Sequence, residues 1–286
     1  MDEFLFSKIV GKQEYAVACK DKKVKNVVIP KEYNGLPVTA VSAIGFFRCE
    51  NLKSVTIPQS VTYIGDCAFL ECKNLKNVEI PDSVKHVGAY VFLQCDKIKE
   101  HVFEGGRYLG NKKNPRLIMT GVQDKNLVRY TISKDTKFLS MAFRYCWNLE
   151  EIVLPEGLIG VCERAFEGCE KLETLTIPKS VQKIGEGAFL HCHSLTHIVI
   201  PEGVTTIEDR AFCCCGNLRS ITLPASLTVV KKNAFGECKK LIEVRYQGDE
   251  ASWEKIKFDE TGNGYVLQAN RFYRGQDEKV FFTKNL

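Results

Sequence analysis

A spacing of about 23 residues recurs along this chain and constrains its fold more than any other feature. Three residue types keep this step together, with one interruption near the middle of the sequence. The prolines are Pro58, Pro81, Pro155, Pro178, Pro201 and Pro224; the phenylalanines are Phe69, Phe92, Phe143, Phe166, Phe189, Phe212 and Phe235; the cysteines are Cys49, Cys72, Cys95, Cys146, Cys169, Cys192, Cys215 and Cys238. A fixed period of this length indicates a solenoid of stacked coils.

Each repeat contains the pattern of a short strand followed by proline. In the repeat that begins at Pro58, Val78 and Ile80 alternate with polar residues, so we expect a strand with these two side chains inward. The preceding segment spaces four apolar residues as on one face of a short helix or helical turn, and Gly65 leaves room where the chain enters it. These four residues are Ile64, Ala68, Phe69 and Cys72. One repeat cannot bury these side chains alone, so neighbouring strands are expected to pair in parallel.

The full repeat resembles a known family. Residues 182–192 read Q-K-I-G-E-G-A-F-L-H-C, which is similar to the centre of the BspA-like (Treponema pallidum-type) leucine-rich repeat, and the similarity extends from about Val24 to Gly248. The resemblance implies an α/β leucine-rich repeat solenoid that is right-handed and has repeats of about 23 residues. It also implies a parallel β-sheet on the concave face, short helices or turns on the convex face, and a role in adhesion or cell-surface protein binding.

The interruption and the two ends suggest three regions. Residues 1–23 are expected to form an N-terminal β cap, residues 24–248 the repeats, and residues 249–286 a C-terminal cap, since an exposed terminal coil would leave an unpaired strand edge. Within the repeats, an irregular coil at about 104–126 reads as two short strands around a polar turn, which predicts a hairpin. A tolerated insertion and a dedicated binding protrusion both explain this hairpin.

The motifs of common enzymes do not occur in the sequence. We find no G-x-S-x-G, Walker loop, H-E-x-x-H or C-x-x-C, so the chain is interpreted as non-enzymatic and no cofactor is expected. The 40 Lys and Arg residues against 35 Asp and Glu leave a net charge of +5, which is too small and too scattered to indicate nucleic-acid binding. No apolar run is long enough for membrane insertion.

Cysteine usage bears on the compartment. The repeated cysteines would stack at about the strand spacing of 4.8 Å, so neighbours such as Cys192 and Cys215 lie within disulfide reach. A thiol at one inward position in eight coils is nevertheless interpreted as a small buried hydrophobe, and the odd total of 13 favours a reducing compartment. The chain is therefore expected to be cytoplasmic as its sequence stands, and at the cell surface or secreted if a signal segment has been removed.

Side-chain spacing suggests two candidate metal sites. His191 aligns with Cys214 one coil on, so these residues, with His193 and Cys213, are weak candidates for a soft zinc-like site. The alternative is that these positions are simply variable. In the C-terminal region Asp259, Thr261 and Asn263 echo the start of a calcium loop, but Asn270 stands where such a loop needs Glu, so a polar turn is the preferred interpretation.

The outward residues of the predicted strands form the candidate binding surface. They are mostly small, β-branched and uncharged, which β-sheet propensity alone would also select, and they lack the aromatic platforms expected for sugars or single-stranded nucleic acid. The candidates are Arg129, Thr131, Glu151, Val153, Thr174, Thr176, His197, Val199, Ser220 and Thr222. The leading hypothesis is a monomeric protein-binding module that uses this concave face for a protein partner. The alternatives are a structural or weakly self-associating repeat protein, and a metal-binding repeat protein.

Overall fold

The computed structural model describes residues 3–275 of the chain. Most of its elements are strands of two to six residues, and the two helices both lie near the C-terminal end of the described part. In chain order the elements are β1 (Phe4–Lys8), β2 (Tyr15–Cys19), β3 (Asn26–Val28), β4 (Glu32–Tyr33), β5 (Leu36–Val41), β6 (Ser54–Thr56), β7 (Tyr63–Ile64), β8 (Asn77–Glu79), β9 (His86–Val87), β10 (His101–Phe103), β11 (Gly106–Leu109), β12 (Ile118–Val122), β13 (Arg129–Thr131), β14 (Phe138–Leu139), β15 (Glu151–Val153), β16 (Gly160–Val161), β17 (Lys183–Ile184), β18 (His197–Val199), β19 (Thr206–Ile207), β20 (Ser220–Leu223), β21 (Val229–Val230), β22 (Glu243–Tyr246), α1 (Glu250–Trp253), β23 (Lys257–Phe258), α2 (Gly264–Gln268) and β24 (Asn270–Tyr273).

The chain divides into two compact units. The first contains the described residues up to Lys125, together with Ile132–Arg144 and Pro155–Ala165. The second contains Asn126–Thr131, Tyr145–Leu154 and the described residues from Phe166 onward.

Each unit is built from two parallel ladders of strands. The front ladder contains the strands predicted from the sequence; it consists of β3-β6-β8 in the first unit, and of β13-β15 and β18-β20-β22-β24 in the second. Paired residues in this ladder are one repeat apart in the sequence, since Val55 pairs with Val78 in the first unit and Ile198 pairs with Ile221 in the second. The predicted parallel-strand solenoid, with coils that follow the sequence period, is therefore confirmed.

The second ladder occupies a segment where the sequence predicted a short helix or helical turn. It consists of β5-β7-β9 and β12-β14-β16 in the first unit and of β17-β19-β21-β23 in the second. Ile64 lies in β7 of this ladder and not on a helix, whereas residues 66–71 form turns that lead on toward the front ladder. Within residues 3–275 the repeats contain no α-helix, so turns, the second of the two expected alternatives, are what the structure has.

Two positions in each turn adopt the left-handed backbone conformation. One lies two residues before the repeated phenylalanine, with φ between 48° and 57°, and the other lies directly before the repeated cysteine, with φ between 56° and 73°. Most of these residues are not glycine. The left-handed conformation costs each non-glycine residue about 1 kcal/mol, which packing must offset. The first set is Ile44, Cys67, Tyr90, Met141, Arg164, Gly187, Arg210 and Asn233; the second is Arg48, Glu71, Gln94, Tyr145, Gly168, His191, Cys214 and Glu237.

The turns stack on one another through backbone bonds and aromatic rings. The amide of Phe189 donates to the carbonyl oxygen of Ala211 at 2.8 Å, and the amide of Phe212 donates to that of Ala234 at 2.8 Å. The ring of Phe189 stacks on that of Phe212 with centroids 5.2 Å apart, and both rings are fully buried. Gly65 is required at the entry to its turn because an added Cβ would lie 2.4 Å from the backbone nitrogen of Ala43.

The irregular coil contains three antiparallel strands. β10 pairs with β11, and β11 pairs with β12 across a loop that includes Pro115. β12 then joins the second ladder, where it pairs in parallel with β14. The chain thus leaves the repeat as a hairpin, and the second ladder, which stops at β9, resumes at β12.

The C-terminal segment continues both ladders within the described residues. β23 pairs in parallel with β21, and β24 pairs in parallel with β22. α1 begins after Asp249, whose carboxylate accepts a hydrogen bond from the Ser252 amide at 2.8 Å, and it buries Trp253 against the Tyr246 ring. Of the C-terminal cap expected over residues 249–286, the part beyond residue 275 lies outside the described residues.

Asn263 satisfies the last turn of the stack with its side chain. It is fully buried, and its Oδ1 accepts from the Phe235 amide at 3.1 Å, where earlier turns use a backbone carbonyl of the next coil. Its Nδ2 donates to the carbonyl oxygens of Lys231 and Asp259 at 2.8 and 2.6 Å. The polar turn preferred over a calcium loop is therefore explained by a structural role of Asn263.

We expect Asn263→Ala to lower the free energy of unfolding by about 1–3 kcal/mol, because it removes these bonds and leaves the buried Phe235 amide without its acceptor. Asn270→Ala is the control, since Asn270 is exposed, and it should change stability by less than about 0.5 kcal/mol. Urea unfolding followed by circular dichroism measures both. Equal effects of the two variants would contradict the role given to Asn263.

Candidate functional site

All ten candidate residues of the front ladder lie in the second unit. Eight of them are exposed, while Ser220 and Thr222 are half-buried. Their alternating neighbours Ile198 and Ile221 are buried, so the strands present one apolar face to the core and one mixed face to solvent.

The charged members of this surface pair with each other. Arg129 Nη2 lies 3.1 Å from Glu151 Oε1, and both side chains are largely exposed. Exposed pairs of this kind contribute little to stability, on the order of 0–1 kcal/mol. They leave the surface close to neutral, while Val153 and Val199 place apolar side chains on it that are 59% and 56% exposed.

The front ladder is interrupted at Thr174–Thr176. Within the described residues this segment is not a strand, although β15 precedes it by one repeat and β18 follows it by one repeat. Leu175 stands where the aligned residues of β15 and β18 are Ile152 and Ile198, and leucine favours strands less than β-branched residues do. The replacement of a β-branched residue is therefore the one sequence signal for this interruption.

A mainly apolar depression opens beside the interruption. Its volume is about 670 Å³. Four of the candidate residues line it, namely Thr176, His197, Val199 and Thr222, together with Leu175, Ile177, Lys179, Ile200, Pro201, Glu202 and Gln247. Sequence analysis missed Leu175, Ile177 and Ile200 as surface-forming residues because strand alternation assigned them to the core, and they are indeed almost fully buried at its floor.

A second, polar depression of about 400 Å³ is also lined by candidate residues, Glu151 and Thr174. Its other lining residues are Glu150, Lys171, Glu173 and Ser194. The structure thus gathers six of the ten candidates around two depressions, while Arg129, Thr131, Val153 and Ser220 line neither of these two.

The first unit contains a cleft that sequence analysis did not identify. It has a volume of about 320 Å³ and includes Phe92, Glu100, Arg107, Thr120 and Ser140. Arg107 Nη1 lies 3.4 Å from Glu100 Oε2, and the Thr120 hydroxyl donates to the same carboxylate. The break in the 23-residue spacing could have predicted this cleft, because the irregular coil replaces a turn that would otherwise stack over Phe92.

The proposed zinc-like cluster is not assembled. The rings of His191 and His193 are 5.5 Å apart, and His193 Nδ1 lies 3.0 Å from the backbone oxygen of Cys214 instead of facing its thiol. In residues 3–275, no group of three or more His, Cys, Asp or Glu side chains has an arrangement that could hold a metal ion. Helical or strand spacing alone does not predict this arrangement of side chains, because the left-handed backbone at His191 and Cys214 sets the directions of both.

The repeated cysteines are buried, as predicted, and no cysteine within residues 3–275 is in a disulfide. Each described bond of this ladder links a thiol to the carbonyl oxygen of the repeated phenylalanine one coil earlier. Cys72 donates to Phe46, Cys192 to Phe166, Cys215 to Phe189 and Cys238 to Phe212, at 3.0 to 3.2 Å. The repeated position therefore needs a small apolar side chain that is also a donor, which explains why cysteine recurs there.

Burial holds these thiols in the protonated form. It raises the pKa of Cys238 from its ordinary value of 9.0 to about 12, and it raises those of Cys192 and Cys215 as well. Because the thiolate is the nucleophile and the metal ligand, Cys192, Cys215 and Cys238 are unreactive at neutral pH.

Parallel ladders in step with the sequence period, with one inward phenylalanine and one inward cysteine per coil, define a leucine-rich repeat β-solenoid. The sequence profile of the "BspA type Leucine rich repeat region" matches residues 14–112 and 125–262 in six copies. The chain belongs to the BspA-type leucine-rich repeat family. The segment between the two matched ranges falls within the irregular coil that includes β12.

Several solved structures of bacterial repeat proteins are similar to this chain. A leucine rich repeat protein of T. pallidum is 22% identical, with a TM-score of 0.38, over 91% of this chain and 97% of that one. A leucine rich cell surface protein of Faecalibacterium prausnitzii is 22% identical, with a TM-score of 0.38, over 90% and 96%. The pneumococcal vaccine antigen PcpA is 14% identical, with a TM-score of 0.44, over 96% and 98%.

No curated protein matches the chain in sequence. Of the helices in the described residues, none has the length and apolar character needed to cross a membrane.

The buried thiols predict a loss of stability at alkaline pH. The folded state holds the Cys238 proton more tightly than the unfolded state does. The stabilisation of the folded state by this protonated thiol is therefore complete below about pH 9 and is lost as the pH rises toward about 12. We expect the free energy of unfolding to fall by about 1.4 kcal/mol for each such thiol between pH 7 and pH 10. Urea unfolding of the reduced protein at both pH values measures this loss.

Cys238→Val removes one titrating thiol, so its loss of unfolding free energy between pH 7 and pH 10 should be smaller than that of the native chain by about 1.4 kcal/mol. Thr228→Val, at an exposed position without a titrating group, should leave the pH dependence unchanged. An identical pH dependence in Cys238→Val and the native chain would show that burial of this thiol does not control it.

Proposed function

We propose that this chain is a non-enzymatic protein-binding module of the adhesion or surface-interaction type, and that the front ladder of its second unit is the docking surface. The observation that carries the proposal is the apolar depression beside Thr176, His197, Val199 and Thr222. Membership in a leucine-rich repeat family supports it, because solenoids present extended surfaces of this kind to other molecules.

The composition of the surface fits a protein partner. Protein interfaces have an apolar centre that excludes water and a polar rim that remains solvated. Here Val199, Ile200 and Pro201 supply the apolar centre, while Lys179 and Glu202 supply charges at its edge. A partner that inserts an apolar side chain beside Val199 and hydrogen-bonds at the rim would match both parts.

The surface is also largely preorganised. Threonine and valine are restricted at χ1 by their branched β-carbons, so they lose little side-chain entropy when a partner covers them. Ser220 and Thr222 are further fixed by β20, which pairs with β18 on one side and with β22 on the other. A rigid surface with few charges favours a partner of complementary shape over one attracted by charge.

The test begins with affinity capture and identification of a partner by mass spectrometry, followed by binding measurements with the purified partner. The triple variant Thr174→Glu/Thr176→Glu/Val199→Glu places three carboxylates on the surface, which must lose water when the partner binds. We expect this variant to bind at least about 100-fold more weakly than the native chain. Circular dichroism verifies that it is folded.

A matched control adds three carboxylates elsewhere on the same unit. Gln182→Glu/Thr205→Glu/Thr228→Glu changes three exposed residues that flank the second ladder, and it should bind the partner like the native chain. Equal binding by the native chain and the front-ladder variant would refute the proposed surface. The identity of the partner also identifies the compartment in which the protein works.

The structural alternative makes a different prediction. A self-assembling repeat protein would capture only further copies of itself, and its mass in sedimentation would increase with concentration. A mass that stays that of one chain at all concentrations, together with binding of a distinct partner, would exclude it.

A further inference from the structure

Cys213 and Cys214 differ from the repeated cysteines because they lie side by side and are only half-buried. Their Sγ atoms are 3.7 Å apart. Cys214 occupies one of the left-handed positions of its turn, with φ of 62°, and this conformation brings the two consecutive side chains to the same side. The pair faces outward from the turn, whereas Cys215 is buried and donates to the Phe189 carbonyl.

Two glycines lie near this pair. Cys213 packs closely against Gly236 of the next coil, where an added Cβ atom would lie 3.2 Å from Cys213 Sγ. Gly216, two residues after Cys214, has no neighbouring atom within 4 Å of the place of a Cβ. Neither thiol is fully buried, so a small ligand can reach both sulfur atoms from solvent.

The distance between the sulfur atoms is too long for a bond between them and suits one bridging atom. A disulfide needs about 2.0 Å between sulfurs and usually at least about 4.4 Å between Cα atoms, whereas consecutive Cα atoms lie about 3.8 Å apart. Trivalent arsenic is pyramidal, and two sulfurs bonded to one arsenic lie slightly closer than a van der Waals contact. The observed 3.7 Å therefore needs only a small rotation of the two side chains to bring both sulfurs onto one centre.

We propose that Cys213 and Cys214 form a chelating dithiol site for a thiophilic centre of the trivalent arsenical class. Soft centres prefer sulfur ligands. A trivalent arsenic that already carries one organic substituent needs only two further ligands, so it suits a site where the described residues supply two thiols and no cluster of three or more metal-binding side chains.

The binding reaction is a condensation without oxidation or reduction. An organic arsenic(III) oxide takes up the protons of both thiols, two arsenic–sulfur bonds form, and the oxide oxygen leaves as one water molecule. Arsenic remains trivalent and both sulfurs remain at the thiol oxidation level. Burial and the neighbouring Cys214 thiol raise the pKa of Cys213 to about 11, so Cys213 enters this reaction as a neutral thiol at pH 7.

The test uses phenylarsine oxide on the reduced, folded full chain, with intact-mass spectrometry as the readout. We expect one adduct per chain that persists in excess 2-mercaptoethanol, a monothiol, and is removed by 2,3-dimercaptopropanol, a dithiol. Cys213→Ser and Cys214→Ser should each lose the persistent adduct completely. Cys67→Ser, which removes another half-buried thiol, should retain it.

A second kind of variant separates accessibility from the thiols themselves. Gly236→Leu keeps both cysteines but places beside Cys213 Sγ the side chain that the chain carries at the aligned position Leu190, which hinders access to the thiols. It should bind phenylarsine oxide at least tenfold more slowly while circular dichroism shows a folded protein. The absence of a monothiol-resistant adduct on the native chain would overturn the proposal, and so would its survival in Cys213→Ser.

Discussion

The fold depends on hydrogen bonds that join each coil to the next at the same repeat position. They run through the front ladder, through the second ladder and through the turn amides such as that of Phe189. Each of these three sets of hydrogen bonds joins residues about one repeat apart. A change in the length of one coil would therefore misalign all three sets at once. This constraint explains why the sequence period is kept so strictly, and why the chain departs from it in one closed hairpin, β11–β12, and then resumes.

The cysteine ladder shows how a single position can serve this stacking in two ways. The thiol fills the space beneath a buried ring and also donates to the carbonyl oxygen of the previous coil, as Cys215 does to Phe189. Alanine would supply neither the volume nor the donor, and serine would bring a more strongly hydrated group into the core. Sequence analysis placed these residues inward correctly from their period, but it could not see the bond, which joins two different coils and exists only when they are stacked.

Other parts of the structure were beyond sequence reasoning for definite physical reasons. Strands of two residues, such as β7 around Ile64, are too short to show alternation, so the helical spacing of the neighbouring apolar residues gave a misleading prediction. The left-handed positions carry residues as different as Arg210 and His191, so only stacking, and no glycine pattern, selects that conformation. At the candidate surface the exposed rows followed from alternation, whereas the depression beside Val199 depends on a strand that does not form at Leu175.

Asn263 completes the turn at Phe235 in a way that does not depend on how many coils precede it. Within the described residues its side-chain hydrogen bonds go to Phe235, Lys231 and Asp259. The number of coils before this turn, and with it the extent of the front ladder, can therefore vary while the turn at Phe235 keeps the same hydrogen-bond partners.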